Sequence, residues 1–397
     1  MSTFKTIDDL DVAGKRVLLR ADLNVPMQDG RVSDATRIER TAPTIRDLTA
    51  RGARVIVLAH FGRPKGRIVS DLSLKPVAEE TARVLGVPVA FAPDAIGDGA
   101  RAVVAAMKDG DVAMLENVRF HAEETENDAG FAKALAALGD IYVNDAFSTA
   151  HRAHASTEAL ARILPAAAGR LMQSEMEALG GALENPQKPV AAVVGGAKVS
   201  TKMEVLGNLA KKVDMIIIGG GMANTFLLAQ GYDIGVSLCE KEMTDAALKI
   251  IADANASGCA VVLPVDLVVA KEFKAGAANR VVGLDGVASD EMALDIGPAS
   301  VAEIAAKLES CKTLVWNGPF GAFEIEPFDA GTNAVAQAAA RLTKAGKLLS
   351  VAGGGDTVSA LAHARAIDDF SYVSTAGGAF LEWLEGKTLP GVAVLQE

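Results

Sequence analysis

Short apolar runs of strand length alternate with helix-period segments along almost the whole chain, and no other feature restricts the fold as much. In the first half the runs are Arg16–Arg20, Arg54–Ala59, Val87–Phe91, Val112–Leu115 and Ile141–Val143. Helical patterns at Asp34–Arg51, Lys75–Leu85 and Ala129–Leu138 lie between them. In the second half the runs are Val190–Val194, Met215–Ile218, Ala260–Leu263, Thr313–Trp316, Lys347–Ala352 and Tyr372–Ser374. Strands joined through helices run parallel, and a parallel sheet needs cover on both faces. The predicted class is therefore α/β with doubly wound, Rossmann-like parallel sheets. A chain of 397 residues exceeds one ordinary core, so two such domains are expected. Ala166–Leu183 reads as one helix, and the proline-bracketed Glu184-Asn-Pro186-Gln-Lys-Pro189 ends it. The expected division is a first domain over 1–170, a helix hinge and linker over 171–188, and a second domain over 189–385.

Ligands of such sheets bind beyond the carboxyl ends of the strands, so the residues after each run carry the functional reading. The first half places Arg20-Ala-Asp22-Leu-Asn24, His60-Phe61-Gly62-Arg63, Glu116-Asn117-Val-Arg119 and Asn144-Asp145 through His151-Arg152-Ala-His154 there, with Arg37 near the start of the first helix. Four of the five histidines and a set of arginines thus gather on one rim. Each has an ordinary explanation alone: Asp22 and Asn24 as turn caps, His60 as a satisfied buried histidine, any arginine as a solvated charge. Four strand ends delivering basic groups together point instead to a pocket for a small polyanion, since guanidinium forks match phosphate and carboxylate oxygens.

The second half offers different groups. Gly195-Gly196 follow a strand, and the pattern then turns helical, so Lys198 and Lys202 are predicted one turn apart on one face beside a helix N-terminus. That makes an anion site, or else an ordinary strand–turn–helix connection with two solvated lysines. Gly219-Gly220-Gly221 and Asn317-Gly318, leading to Glu324, follow two other strands. Gly353-Gly354-Gly355-Asp356-Thr357 opens a helix, and its carboxylate suits Mg²⁺ carried on phosphates, or a helix cap. Neither G-x-x-x-x-G-K-[ST] nor G-x-G-x-x-G occurs.

The net charge of −11 argues against general nucleic-acid binding. Three scattered cysteines show neither a disulfide framework nor metal spacing, which suits a reducing compartment. No signal-peptide core opens the chain, and the apolar stretch Cys259–Ala270 is too short to span a bilayer, so a soluble cytoplasmic protein is expected. A guanidinium-rich pocket in one half, with glycines, lysines and an acid in the other, is a layout for phosphoryl transfer between two substrates. No nucleophile or triad is evident. If a carboxylate and a nucleotide phosphate are the exchanging groups, both are ionised at neutral pH and no general base is needed. An NAD-dependent dehydrogenase and a non-catalytic phosphometabolite binder are the alternatives. The missing dinucleotide fingerprint weighs against the first, and the combination of Lys198, Lys202 and Asp356 against the second.

These residues resemble the phosphoglycerate kinases. Val17-Leu-Leu-Arg20-Ala-Asp22-Leu-Asn24-Val-Pro26, His60–Pro64, Asn144–Ser156, Gly195–Lys202, Gly219–Ala223, Trp316–Gly321 and Gly353–Thr357 match that family's motifs in order, up to Leu389-Pro-Gly391. The resemblance implies transfer between 1,3-bisphosphoglycerate and ADP, giving 3-phosphoglycerate and ATP, in glycolysis and gluconeogenesis. It implies a glycerate site of Asp22, Asn24, Arg37, His60, Phe61, Gly62, Arg63, Arg119 and Arg152. It makes Arg37, Lys198 and Lys202 catalytic, and assigns the nucleotide to Lys202, Gly220, Asn317, Glu324, Gly353, Gly354, Gly355, Asp356 and Thr357, with Mg²⁺ on Asp356. It also implies a monomer and a C-terminal tail, 386–397, that returns to the first domain. Ser148, Ala293 and Ala376 stand where the family usually has glycine; at Ala376 the concern is a backbone that needs positive φ. Two half-sites that must meet in a dry space imply hinge closure. Small-angle scattering should therefore report compaction when both substrates are added, and superimposable curves would count against closure.

Overall fold

The computed structural model describes residues 4–396. They fall into two compact units, one reaching from the N-terminal side to Glu177 and taking in Thr388 onwards, the other being Ala178–Lys387. Among the described residues no helix is long and apolar enough to cross a membrane.

The first unit is built on a six-stranded sheet in the order Val89–Phe91, Val112–Met114, Arg54–Leu58, Arg16–Arg20, Ile141–Asn144, Ala166–Ala168. Every pairing is parallel. The central strands are apolar without alternation because helices cover both faces; Val17, Leu18, Leu19, Val55, Ile56 and Val57 are all fully buried. Helix Lys75–Leu85 ends on Gly86, whose φ of 74° closes the turn. The chain leaves strand Arg16–Arg20 towards one edge and returns on its other side at Ile141–Asn144. The strand order therefore reverses there, with Arg20 in register with both Leu58 and Asn144. Crevices form at such reversals.

The second unit repeats the plan in the order Ala260–Val262, Met215–Ile218, Val190–Val194, Thr313–Asn317, Leu349–Gly353, Tyr372–Ser374, again all parallel. Its reversal lies between Val190–Val194 and Thr313–Asn317. The C-terminal helix Pro390–Gln396 belongs to the first unit, where Gly391 N–H donates to Ala150 O at 2.9 Å and Gly391 O accepts from Asn144 Nδ2 at 3.4 Å.

Two readings of the sequence are corrected. Ala166–Leu183 is not one helix: Ala166–Ala168 is an edge strand, the helix is Arg170–Leu179, and Gly180–Glu184 is a wider turn. The break is at Gly169, where a Cβ would come within 2.3 Å of Asp145 Oδ1. That same oxygen accepts from the Leu171 and Met172 N–H groups at 2.8 and 3.2 Å, so the helix starts on a carboxylate. Three alanines do not distinguish strand from helix, and partners distant in sequence decide. The second correction is an addition: Asp266–Ala270 is the centre of a three-stranded antiparallel sheet with Asn279–Gly283 and Met292–Ile296.

Asp295, near the end of that sheet, is a buried carboxyl group that accepts the Ile296 N–H at 2.9 Å and the Gly331 N–H at 2.6 Å. It thereby ties the sheet to helix Ala330–Lys344. Burial, with some help from the neighbouring Asp329 charge, pushes its pKa up to about 7 despite those bonds. A folded-state value above the unfolded one gives stability that is complete at low pH and lost as pH rises through about 7. The stability difference between the wild type and Asp295→Asn should therefore shift by about 3 kcal/mol, against the wild type, between pH 5 and 8. Urea unfolding at the two pH values measures this, and a pH-independent difference would disprove it.

Candidate active site

In the first unit the reversal point gathers the predicted basic residues. Arg20 ends the central strand with its whole side chain buried. Its Nη2 lies 3.0 Å from His60 Nδ1. Arginine only donates, so Nδ1 is the acceptor and a neutral His60 carries its proton on Nε2. Burial first, then Arg20, Arg119 and Arg152, hold His60 well below the ordinary histidine range, against the opposing pull of Asp22. Asn24 Oδ1 accepts the Gly62 N–H at 2.9 Å, and Arg119 Nη1 donates to Gly62 O at 2.9 Å. Burial and the charges of Arg20 and Arg152 push Arg119 down to about 10, with Arg63 contributing in the same direction. His154 is pushed down to about 4 by burial and by Arg119, Arg20 and Arg152. Arg37, 42% exposed at the side chain, pairs with Asp22 Oδ2, and Ser148 Oγ donates to the same oxygen. The serine that replaces the expected glycine thus gives Asp22 a second partner. His121 does not join the cluster: its Nε2 lies 2.6 Å from Asp94 Oδ1 and its ring packs on Phe131.

Several residues of this region were given no role from the sequence. Asn117, fully buried, donates to Phe61 O at 2.7 Å and Leu72 O at 2.9 Å and accepts the Phe61 N–H at 3.1 Å, clamping the loop that carries His60, Phe61, Gly62 and Arg63. Arg20, Glu124 and Ser156 form a second buried layer. The one available signal was an arginine closing an otherwise apolar strand.

In the second unit the loops after Val190–Val194, Met215–Ile218, Thr313–Asn317 and Leu349–Gly353 pack on one another. Gly195 N–H donates to Asn317 O at 2.8 Å, Gly220 N–H to Phe320 O at 2.8 Å and Met222 N–H to Gly196 O at 2.9 Å. A Cβ on Gly195 would lie 2.0 Å from Pro319 O, and one on Gly318, whose φ is 106°, 2.3 Å from Gly195 O. These glycines serve loop-to-loop approach. Gly355 differs, because nothing lies within 4 Å of its Cβ direction. It opens helix Gly355–His363, with Gly354 before it at φ 100° and Asp356 exposed in the first turn. Thr357 Oγ1 accepts the Gly318 N–H at 2.8 Å, and Asn317 Nδ2 donates to Gly353 O at 2.8 Å. Glu324 is exposed on the turn before Glu326-Pro327.

The expected lysine geometry is corrected. Residues 197–202 are not helical; the helix is Met203–Leu209, and Lys202 is its N-cap. Glu240 holds this non-helical segment by accepting both the Ser200 N–H, at 2.9 Å, and the Ser200 hydroxyl. Lys198 is exposed, whereas Lys202 is partly buried with Nζ on Asn317 Oδ1. Burial lowers the Lys202 pKa, partly opposed by Glu385 and Asp356. Ala376 has φ −91°, so its lack of glycine freedom costs nothing. Ala293 sits in a strand opposite Val269 and donates its N–H to Ser237 Oγ at 2.8 Å. Glu326, Asp329 and His363 offer ligand atoms within 4.8 Å of one another, the one such group found among the described residues, and it does not include Asp356.

Doubly wound units, one with a crowded basic pocket and the other with glycine loops and an open helix N-terminus, define an α/β class that handles phosphorylated small molecules. A family model described as phosphoglycerate kinase matches residues 7–387. A phosphoglycerate kinase of Methylorubrum extorquens (strain PA1) is 64% identical over 397 residues, covering 100% of this chain and 99% of its own. That of Azorhizobium caulinodans is 65% identical over 396 residues, with both chains fully covered. The structure of phosphoglycerate kinase from Coxiella burnetii superposes with a TM-score of 0.92 at 47% identity over 99% of both chains. The chain belongs to the phosphoglycerate kinase family.

Asn317 joins Lys202 to the Gly353 carbonyl, so Asn317→Ala leaves buried polar groups without partners. The expected cost is about 1–3 kcal/mol in urea unfolding, with a weaker ADP affinity by isothermal titration. Unchanged stability and ADP affinity would remove Asn317 from this role.

Proposed function

We propose that the chain catalyses reversible phosphoryl transfer between 1,3-bisphosphoglycerate and ADP, giving 3-phosphoglycerate and ATP. The observation that carries this reading is the gathering of Arg20, Arg119, Arg152 and His60 at the first unit's strand ends, where burial first, and then the charges of Arg20 and Arg152, bring Arg119 down to about 10. A bound polyanion relieves that repulsion. Asp22, Asn24, His60, Phe61, Gly62, Arg63, Arg119 and Arg152 bind the glycerate substrate. Arg37 exchanges its Asp22 partner for the transferred group. Lys198 and Lys202 neutralise phosphate charge, Lys202 being the more strongly directed because it is held by Asn317. Gly220, Asn317, Glu324 and Gly353–Thr357 hold the nucleotide, with the helix opening at Gly355 turning free N–H groups towards its phosphates.

Asp356 fits a Mg²⁺ that arrives on the nucleotide, because that ion takes few protein oxygens and this carboxylate is exposed beside the open helix end. When bound, the ion supplies charge neutralisation at the phosphate oxygens. No general base is needed, since the carboxylate and the nucleotide phosphate are already ionised. His60 would serve poorly as one, because its only lone pair faces Arg20. On this reading the glycerate side is 1–170 with 386–397, the nucleotide side is 189–385, and 171–188 links them. The protein then works in the cytoplasm as a monomer on small molecules, without nucleic acid or membrane.

A coupled assay for ATP formation from 1,3-bisphosphoglycerate and ADP tests the function, and absence of turnover would defeat it. In the same assay Arg37→Ala should lower kcat by about a hundredfold or more, with glycerate affinity changed by less than about tenfold, or about 1.4 kcal/mol. Unchanged turnover with weakened binding would make Arg37 a simple binding residue.

A further inference from the structure

Behind the basic pocket lies a chain of three residues, each with no solvent exposure: Arg20, Ser156 and Glu124. They come from three separate elements, the strand Arg16–Arg20, the turn Ala155–Ala159 and the turn Ala122–Glu124. Their hydrogen bonds run in one direction. Arg20 Nε donates to Ser156 Oγ at 2.9 Å, and Ser156 Oγ donates its single proton to Glu124 Oε1 at 2.6 Å. The Ser156 N–H donates to Glu124 Oε2 at 2.9 Å, and Tyr142 Oη donates to Ser156 O at 2.8 Å, so the serine is held from two sides. Arg20 Nη1 donates to Ala21 O. With Nε and Nη1 committed, the guanidinium plane is set, and Nη2 is directed at His60 Nδ1, 3.0 Å away.

We propose that Arg20, Ser156 and Glu124 are positioning residues that fix the tautomer of His60, so that the pocket is offered a neutral Nε2–H donor for a substrate oxygen. The inference rests on the reading that His60 faces the glycerate substrate. A proton on Nδ1 would set N–H against N–H with Arg20, which excludes both the other neutral tautomer and the imidazolium. The charged groups acting on His60 are Arg20, Arg119 and Arg152, which oppose its protonation, and Asp22, which favours it. Glu124 neutralises Arg20 through the serine hydroxyl rather than by direct contact. Both its oxygens accept from Ser156, with Oε1 also 3.9 Å from His154 Nδ1, while the buried guanidinium keeps a counter-charge.

The chain contains five histidines, so ring-nitrogen NMR of the full-length protein labelled with ¹⁵N-histidine is tractable, with His60→Gln identifying the relevant signals. From about pH 5 to 8 the His60 ring should stay neutral with its proton on Nε2. An Nδ1–H tautomer, or a ring that charges near its ordinary value, overturns the proposal without any variant. In Ser156→Ala the guanidinium loses its Nε anchor and an Nδ1–H tautomer of His60 should appear, the ring staying neutral because burial and the arginine charges remain. The KM for the glycerate substrate should rise about tenfold, with kcat and the nucleotide KM changed less than about threefold. Ser156→Thr, which keeps the hydroxyl, should restore both readouts. A Ser156→Ala protein that melts earlier but keeps the wild-type His60 signals would make the chain merely structural and refute the assignment. If the variant does not fold, the wild-type spectrum still decides. Lack of ATP formation by the wild type would defeat the functional reading alone, since the tautomer is measured without substrate.

Discussion

A guanidinium with no route to water sits at the end of the first unit's central strand, and the site depends on how that charge is accommodated. Arg20 touches a hydroxyl, a carbonyl oxygen and an imidazole nitrogen, while its counter-charge, Glu124, stands one hydroxyl away. Isolated buried charges are costly unless paired and hydrogen-bonded, and this arrangement meets that need through the Ser156 hydroxyl rather than by direct contact. The positive field is offset only in part, by Asp22 at His60 and by Glu124 at Arg119. Burial first, and then that field, lower the proton affinity of His60, Arg119 and His154 together, leaving both histidines neutral. The same field that would repel a cation suits a small polyanion.

The second unit solves a different problem. Its binding loops lie at the ends of four parallel strands and have to pack against one another before they can present anything to a ligand. Glycine makes that possible where another backbone occupies the space a Cβ would need, as at Gly195 and Gly318. Asn317 completes the lattice by joining the loop of Lys202 to the loop of Gly353. The open N-terminus at Gly355 and the exposed Asp356 are then held on a rigid base, as directional recognition of phosphates requires.

Much of this layout was legible in advance. Central parallel strands are continuous apolar runs because both faces are covered, so Val190–Val194, Met215–Ile218 and Tyr372–Ser374 have the boundaries read from the sequence. Local pattern failed where distant groups decide the conformation. Ala166–Ala168 became a strand through pairing with Tyr142–Asn144, and the helix after it began where Asp145 caps it. Lys198 and Lys202 lie outside the helical register, in a segment that Glu240, forty residues on, holds through Ser200. The antiparallel sheet of the second unit was missed because its apolar run is cut by Pro264 and its partner Asn279–Gly283 is mostly exposed, without a continuous apolar run.

The sequence by itself determined the α/β class, the parallel order implied by alternating elements, and the strand ends that deliver the basic and glycine-rich groups. These follow from periodicity and residue chemistry, which act over a few positions. Only the tertiary structure decided which nitrogen of His60 bears the proton, which carboxylate balances Arg20, and which glycines serve packing rather than ligand approach. Those depend on atoms a few ångströms apart in space and up to 136 positions apart in the chain, as with Arg20 and Ser156. Hydrogen-bond direction and burial energy are properties of such neighbours, and a linear pattern does not carry them.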